Sequence, residues 1–182
     1  LQPARRKKVA TLLKRRGFIS QTSCGICGKE MIKDICQALT PITDETRFNI
    51  TLAIACVDQL IYNQDFFYKR TGGSHAAMLL DSKLNVLSVA EDVGRYNALD
   101  KAIGKIFLSG QLTNARLAVL SSRISYELVQ KAARSHLPIL VSISRPTALA
   151  VELGQSLNMT LACMGKESGL LVFCGEERLT GE

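Results

Sequence analysis

From residue 75 onward the apolar positions alternate between short continuous runs and helical spacings. HAAMLLD (75–81) and NVLSVAED (85–92) read as two strands. The polar connection DSKLN joins them, predicting an antiparallel hairpin. NALDKAIGKIFLSG (97–110) predicts a helix ending at Gly110. Strand, helix and strand follow at ARLAVLSS (115–122), SYELVQKAARSH (125–136) and LPILVSIS (137–144). PTALAVELGQSLN (146–158) predicts a helix with Pro146 in its first turn. MTLACMG (159–165) and GLLVFCG (169–175) predict two last strands. Upstream, KEMIKDICQAL (29–39) places Met31, Ile32, Ile35, Cys36 and Leu39 on one helical face, and Pro41 stops it. ITDETRFNITLAIACVDQLIYN (42–63) predicts a long buried helix with Thr43 and Asp44 as start signals.

Strands alternating with helices of ten or more residues imply crossover units. The expected fold is α/β: a mixed, largely parallel sheet flanked by helices. Ligands of such sheets bind beyond the carboxyl ends of the strands. The ends here read SVAEDVGRYN, VLSSRIS and VSISRPT, each carrying an arginine (Arg95, Arg123, Arg145) beside glycine or hydroxyl residues.

Charge divides the chain further. Net charge is +7, and seven Lys or Arg fall within residues 5–16. Residues 1–21 are expected to form a basic arm or linker, and residues 22–182 a single α/β domain with an N-terminal CxxC loop. A basic run can attract phosphates or simply be solvated. Without interleaved aromatics it offers no stacking platform for single strands, so nucleic acid is not the expected partner. No stretch approaches the roughly 18 apolar residues of a membrane span, and no secretory leader is recognisable in the first twenty residues. With six cysteines in a long apolar chain, this reads as a reducing, cytoplasmic context.

The cysteine signal is concentrated in TSCGICGKE (22–30), where Cys24 and Cys27 are spaced CxxC between small residues. A thiolate at a helix start is activated, and flanking glycines let a loop admit a large partner. Four readings stand side by side: zinc, a redox disulfide, sulfur relay, or two ordinary buried thiols. Structural zinc needs two more ligands; there is no second CxxC, and His75 and His136 are far apart in sequence. A thioredoxin-like motif should follow a strand, which RRGFISQTS does not clearly supply.

Three further segments could bind a ligand. Thr71, Gly72 and Gly73 precede a strand, and paired glycines can present N–H groups to an anion or form a plain turn. His75 follows as a potential base or a structural residue. Glu91, Asp92, Arg95, Asn97 and Asp100 crowd a strand-to-helix junction, suiting either a base or ribose contact or helix capping. Ser122 with Arg123, and Ser144 with Arg145, suit phosphate binding, with capping by Ser144 or Thr147 as the plain alternative. Zinc nucleobase deamination requires H-x-E and P-C-x-x-C. Here His75 precedes Ala76 and Ala77, and Ser23 precedes Cys24. No G-x-G-x-x-G follows a strand either.

Taken in order, TSCGICGKE, TGGSHAAMLLD, EDVGRYNALDKAIG, LSSRISYELVQKAA and SRPTALAVELGQSLNMTLAC resemble the formate dehydrogenase accessory sulfur carrier family, FdhD, from about residue 17 to 175. The resemblance implies a fold similar to cytidine deaminases without their catalytic zinc, and no bound metal of its own. It implies a sulfurtransferase-like carrier that takes sulfur as a persulfide from a cysteine desulfurase. The sulfur passes to the bis-molybdopterin guanine dinucleotide cofactor for formate dehydrogenase. It further implies a homodimer, Cys24 as the persulfide bearer with Cys27 as its partner, and guanine nucleotide as a mimic of the cofactor. The family's cofactor-binding segment corresponds to Cys163, Met164, Gly165, Lys166, Glu167 and Ser168. Tyr96 stands where the family usually has His, and this segment lacks the family's aromatic and Arg. A further N-terminal region is expected to precede the basic arm. The alternative role is a non-catalytic chaperone that delivers the cofactor to the apo-enzyme.

Overall fold

Asn49 decides where the first described helix begins. Its Oδ1 accepts from the N–H groups of Thr51 (2.8 Å) and Leu52 (3.3 Å), and α1 runs Ile50–Asn63 from that cap. The expected start at Thr43 and Asp44 is therefore six residues or so too early. Asp44 is engaged instead by the Thr46 N–H (2.9 Å) and by Arg116 Nε (2.8 Å), and residues 42–47 stay outside the helix. Phe48–Asn49 (β1) then pairs in parallel with Leu179–Thr180 (β8) at the chain's other end. The computed structural model describes residues 39–64, 68–165 and 169–181. The basic arm, Cys24, Cys27, most of the helix expected over 29–39, and Lys166, Glu167 and Ser168 lie outside the described residues.

The central elements follow the apolar pattern closely. α2 is the short Tyr68–Thr71. β2 (His75–Asp81) and β3 (Val86–Asp92) form the expected antiparallel hairpin. The Asp81 carboxylate accepts from the Lys83 and Asn85 N–H groups at its tip. α3 (Arg95–Leu108), β4 (Ala115–Arg123), α4 (Tyr126–Arg134), β5 (Ile139–Ser144), α5 (Ala148–Ser156), β6 (Thr160–Met164) and β7 (Leu170–Cys174) complete the order. Thr147 caps α5 through Oγ1, so Pro146 lies just before the cap rather than in the first turn.

The six-stranded sheet has the order β3-β2-β4-β5-β6-β7. β4, β5 and β6 are parallel neighbours joined by the crossover helices α4 and α5. β2 and β7 run against them at either side. The sheet is mixed, with a parallel centre. Its two faces separate by strand alternation. Met78, Val119, Val141 and their neighbours pack against Ala53, Val57 and Leu60 of α1. Leu79, Ser88 and Ala118 line the other face, where Ser88 Oγ donates to the Ala102 carbonyl of α3 (2.9 Å). α5 lies on that face too, so close that a Cβ on Gly154 would meet Leu161 Cδ1 at 2.7 Å. Among the described residues no helix is long and apolar enough to cross a membrane.

Candidate functional site

Parallel strands bring their carboxyl ends to one sheet edge. The ends of β3, β4, β5 and β6 meet there, together with the start of the opposed β2. His75 is the cross-strand partner of Asp92, Arg123 that of Ser144, and Ser142 that of Cys163. The topology thus gathers the dispersed arginine-bearing motifs on one rim. β4 breaks register between Leu120 and Arg123. In the break, Ser121 Oγ accepts from the Ala76 N–H at 2.8 Å.

Two clusters result. At the outer strands, Asp92 Oδ1 accepts from the Gly94 N–H (2.9 Å) and Asn97 Nδ2 (3.1 Å), while Oδ2 pairs with Lys101. These bonds, the one from Lys101 above all, hold the Asp92 carboxyl at a pKa of about 2. Both oxygens of Asp92 are occupied within this junction, although α3 starts from Gly94 without a side-chain cap. Arg95 begins that helix, donates from Nη2 to Tyr96 Oη (3.2 Å) and stacks on the Tyr96 ring at 4.8 Å. Tyr96 therefore holds the guanidinium in place. Arg95 Nε is buried and has no hydrogen-bond partner. Burial first, and then the Arg95 charge, lower the pKa of half-buried His75 and favour its neutral imidazole.

At the central strands, Ser122 is buried and donates to its neighbour's carbonyl, Arg123 O (3.1 Å). Ser142 Oγ donates to Ser144 O (2.7 Å), tying off the end of β5. Arg123, Ser144 and Arg145 are exposed. Cys163 is fully buried, and burial raises its pKa against the opposing pull of Arg145. Met164 and Gly165 end the strand, and Gly165 N–H donates to Gly169 O (2.7 Å).

The Gly72–Gly73 turn departs from the anion cradle that was one reading of its sequence. Gly72 N–H donates to Tyr68 O (2.7 Å) and Gly73 N–H to Thr71 Oγ1 (3.2 Å), so both groups are spent inside the turn. The glycines instead wall two cavities. One, of 390 Å³, is lined by Gln64, Tyr68, His75 and Ser121 among others. The other, of 430 Å³, is lined by Thr71, Glu91, Asp92 and Lys101. Glu91 Oε2 accepts from Ser74 Oγ (2.8 Å) and Tyr68 N–H (3.0 Å), fixing the ridge between them. Gln64 was not among the expected site residues. Gln64 had a signal: it continues the buried α1 stripe Ala53, Cys56, Val57, Leu60 as a polar residue four places on.

This edge can bind an anionic, hydrogen-bond-rich ligand through Arg95, Arg123 and Arg145. Its described thiols are poor nucleophiles: Cys56, Cys163 and Cys174 are all buried, and burial raises each pKa.

Comparison with known proteins bears on who builds such an edge. The FdhD/NarQ family matches residues 2–180. The chain belongs to that family. It is 34% identical over 166 residues to the sulfur carrier protein FdhD of Bordetella bronchiseptica, covering 91% of this chain and 60% of that protein. It is 34% identical to that of Picrophilus torridus, covering 92% and 64%, and 35% identical to that of Cupriavidus necator, covering 93% and 58%. The chain spans about three fifths of the length of these relatives. A crystal structure from Desulfotalea psychrophila, described as that of a formate dehydrogenase accessory protein, superposes with a TM-score of 0.69 at 25% identity. The superposition covers 81% of this chain and 62% of that one. The FdhD/NarQ architecture is therefore the fold seen here.

Proposed function

We propose that this FdhD/NarQ chain is a sulfur carrier for formate dehydrogenase. In this reading Cys24 takes sulfane sulfur from a cysteine desulfurase as a persulfide, and Cys27 is the neighbouring thiol. The acceptor, held as substrate, is the bis-molybdopterin guanine dinucleotide cofactor. The observation that carries the reading is the gathering of Arg95, Arg123, Arg145 and neutral His75 on one sheet edge, in a chain whose exposed-type thiol motif lies elsewhere in the sequence. Guanidinium groups in that number suit the phosphates of a dinucleotide.

The transfer balances without an outside oxidant. The Cys24 thiolate attacks the terminal sulfur of the desulfurase persulfide, which leaves the desulfurase as a thiolate and Cys24 as Cys–S–S⁻. Delivery of sulfide to the metal then needs two electrons. Attack by the Cys27 thiolate on Cys24 Sγ supplies them, leaving a Cys24–Cys27 disulfide for a thiol reductant to reopen. The chain's other residues bind and orient. Arg95 is positioned by Tyr96, and Asp92 fixes the turn that carries Arg95.

The test is mass measurement of protein-bound sulfur after incubation with a desulfurase and cysteine. A persulfide on Cys24, lost in Cys24→Ala together with cofactor sulfuration, is the expected result. Full sulfuration by Cys24→Ala overturns the assignment.

The described body favours one competing reading, because all its cysteines are buried. A non-catalytic chaperone would bind the cofactor and deliver it to the apo-enzyme. It predicts undiminished cofactor delivery after replacement of both Cys24 and Cys27, without transfer of labelled sulfur.

A further inference from the structure

Among the described residues, β3 is an outer strand of the six-stranded sheet and pairs only with β2. The ladder tells which of its backbone groups face outward. The Ala76 N–H points from β2 toward β4, onto Ser121 Oγ. By alternation Met78 also faces β4, so its cross-strand partner Val89 turns its N–H and C=O away from the sheet. Glu91, opposite Ala76, is oriented the same way. A row of outward backbone groups is a template on which another strand can pair.

β3 carries little protection of its own. Residues 86–90 read VLSVA, with no charge and no proline. Short β-prone runs without charge are the ones that pair edge to edge. Val86, at the start of the strand, is 39% exposed. The outer strand on the far side, β7, has only five residues, and its pairing with β6 is broken by a register shift. Shortness and irregularity blunt such an edge. β3 has seven residues.

Protection reaches β3 from α3. Lys105 Nζ donates to Val89 O (2.5 Å) and Lys101 Nζ to Glu91 O (3.3 Å). As the helix advances from 101 to 105, the strand retreats from 91 to 89. Four helical residues rise about 6 Å, and two strand residues span about 6.8 Å. Lysines four apart therefore land on successive outward carbonyls. Lys101 is also paired with Asp92, whereas Lys105 has no other partner among the described residues.

We propose that Lys101 and Lys105 form a clasp that keeps β3 from pairing with β3 of a second copy of this chain. The ammonium groups occupy the acceptors an incoming strand would use. In an antiparallel pairing about a two-fold axis they would also set like charges of the two copies against each other. The inference does not depend on the carrier reading. A homodimer built on another surface is compatible with it and sets the reference mass.

The experiment is sedimentation velocity of the full chain over a range of concentrations, with hydrogen exchange of the Val89 amide measured in parallel. Lys101→Ala/Lys105→Ala is expected to double in mass over the wild-type species as concentration rises, with slowed exchange at Val89. Lys105→Ala alone, which touches only the Val89 carbonyl, is expected to do so at higher concentration. Lys101→Arg/Lys105→Arg keeps both cationic donors and is expected to sediment as wild type does. Val89→Pro, added to the double alanine variant, removes an outward N–H that the ladder does not use and is expected to reverse the association. The proposal is overturned if the alanine variants sediment as wild type does, or if the arginine variant associates as the alanine one does. Association that leaves Val89 exchange unchanged, or that persists with Val89→Pro, overturns it equally, because the new contact is then not this edge.

Discussion

His75 and Asp92 face each other across β2 and β3, and their pKa values are both lowered, with opposite consequences for a proton. Lowering a histidine pKa favours the neutral form, so the unfolded chain binds that proton more readily than the folded one. Stability contributed at His75 is intact above its ordinary value of 6.5 and is lost as pH falls below it, until the folded site itself protonates. Lowering a carboxyl favours the charged form. The Asp92 contribution is intact above 3.8 and is lost as pH falls toward about 2. The two windows are separate and can be read in one protein. Urea unfolding at about pH 7.5 and about pH 5 is expected to show a loss of stability on acidification that His75→Gln reduces. A loss unchanged by His75→Gln would refute the assignment. Asp92→Asn keeps an acceptor for Gly94 but not the pairing with Lys101. It is expected to cost about 1 kcal/mol at neutral pH, seen as a lower urea midpoint, because Lys101 is half exposed and partly screened.

At the scale of elements, Gly175 is the position where backbone conformation decides most. Its φ is +67°, and a Cβ would stand 2.6 Å from both Met159 O and Thr160 Oγ1. Thr160 Oγ1 in turn donates to Gly175 O (2.6 Å), so this turn bonds the exit of β7 to the start of β6. Gly175→Ala is expected to destabilise by about 2–3 kcal/mol, through strain and displaced backbone together, measured as a shift in urea midpoint at constant slope. The turn also shows where local pattern stops informing. The apolar runs at 75–81 and 139–144 marked their strands because those strands are buried on both faces and need no alternation. β1 and β8 have two residues each, too few for any period, and exist because Asp44 and buried Arg178 hold distant segments together. Thr43 and Asp44 looked like a helix start because their chemistry is that of a cap; the partner that diverts Asp44, Arg116, lies 72 residues away. The arginines at the strand ends were legible as a set, since a crossover sheet must align those ends. The fate of the Gly72 and Gly73 N–H groups was not, because it depends on the single helical turn that begins at Tyr68.

For the molecule as a whole, binding and sulfur chemistry are assigned to different cysteine environments. Cys56 packs into the core from α1, Cys163 lies in β6 opposite Ser142, and Cys174 lies against Met159 O at 3.3 Å. Each is buried and each has its pKa raised, chiefly by burial, so at neutral pH little thiolate is present and little of it is reachable. Cys24 and Cys27, flanked by glycine and polar residues, carry the CxxC pattern that the carrier reading requires. Brief treatment of the native chain with iodoacetamide near neutral pH, followed by peptide mass measurement, separates the two groups. Cys24 and Cys27 are expected to be alkylated, while Cys56, Cys163 and Cys174 stay unmodified until urea unfolds the sheet. If the body is a rigid binding platform, saturating it with guanosine nucleotide should leave that division in place and only delay the urea-dependent labelling of Cys163, by the amount that bound ligand raises the unfolding free energy. Rapid native alkylation of Cys163 would show instead that the end of β6 opens readily. The sulfur-handling residues would then include a thiol from the binding edge itself.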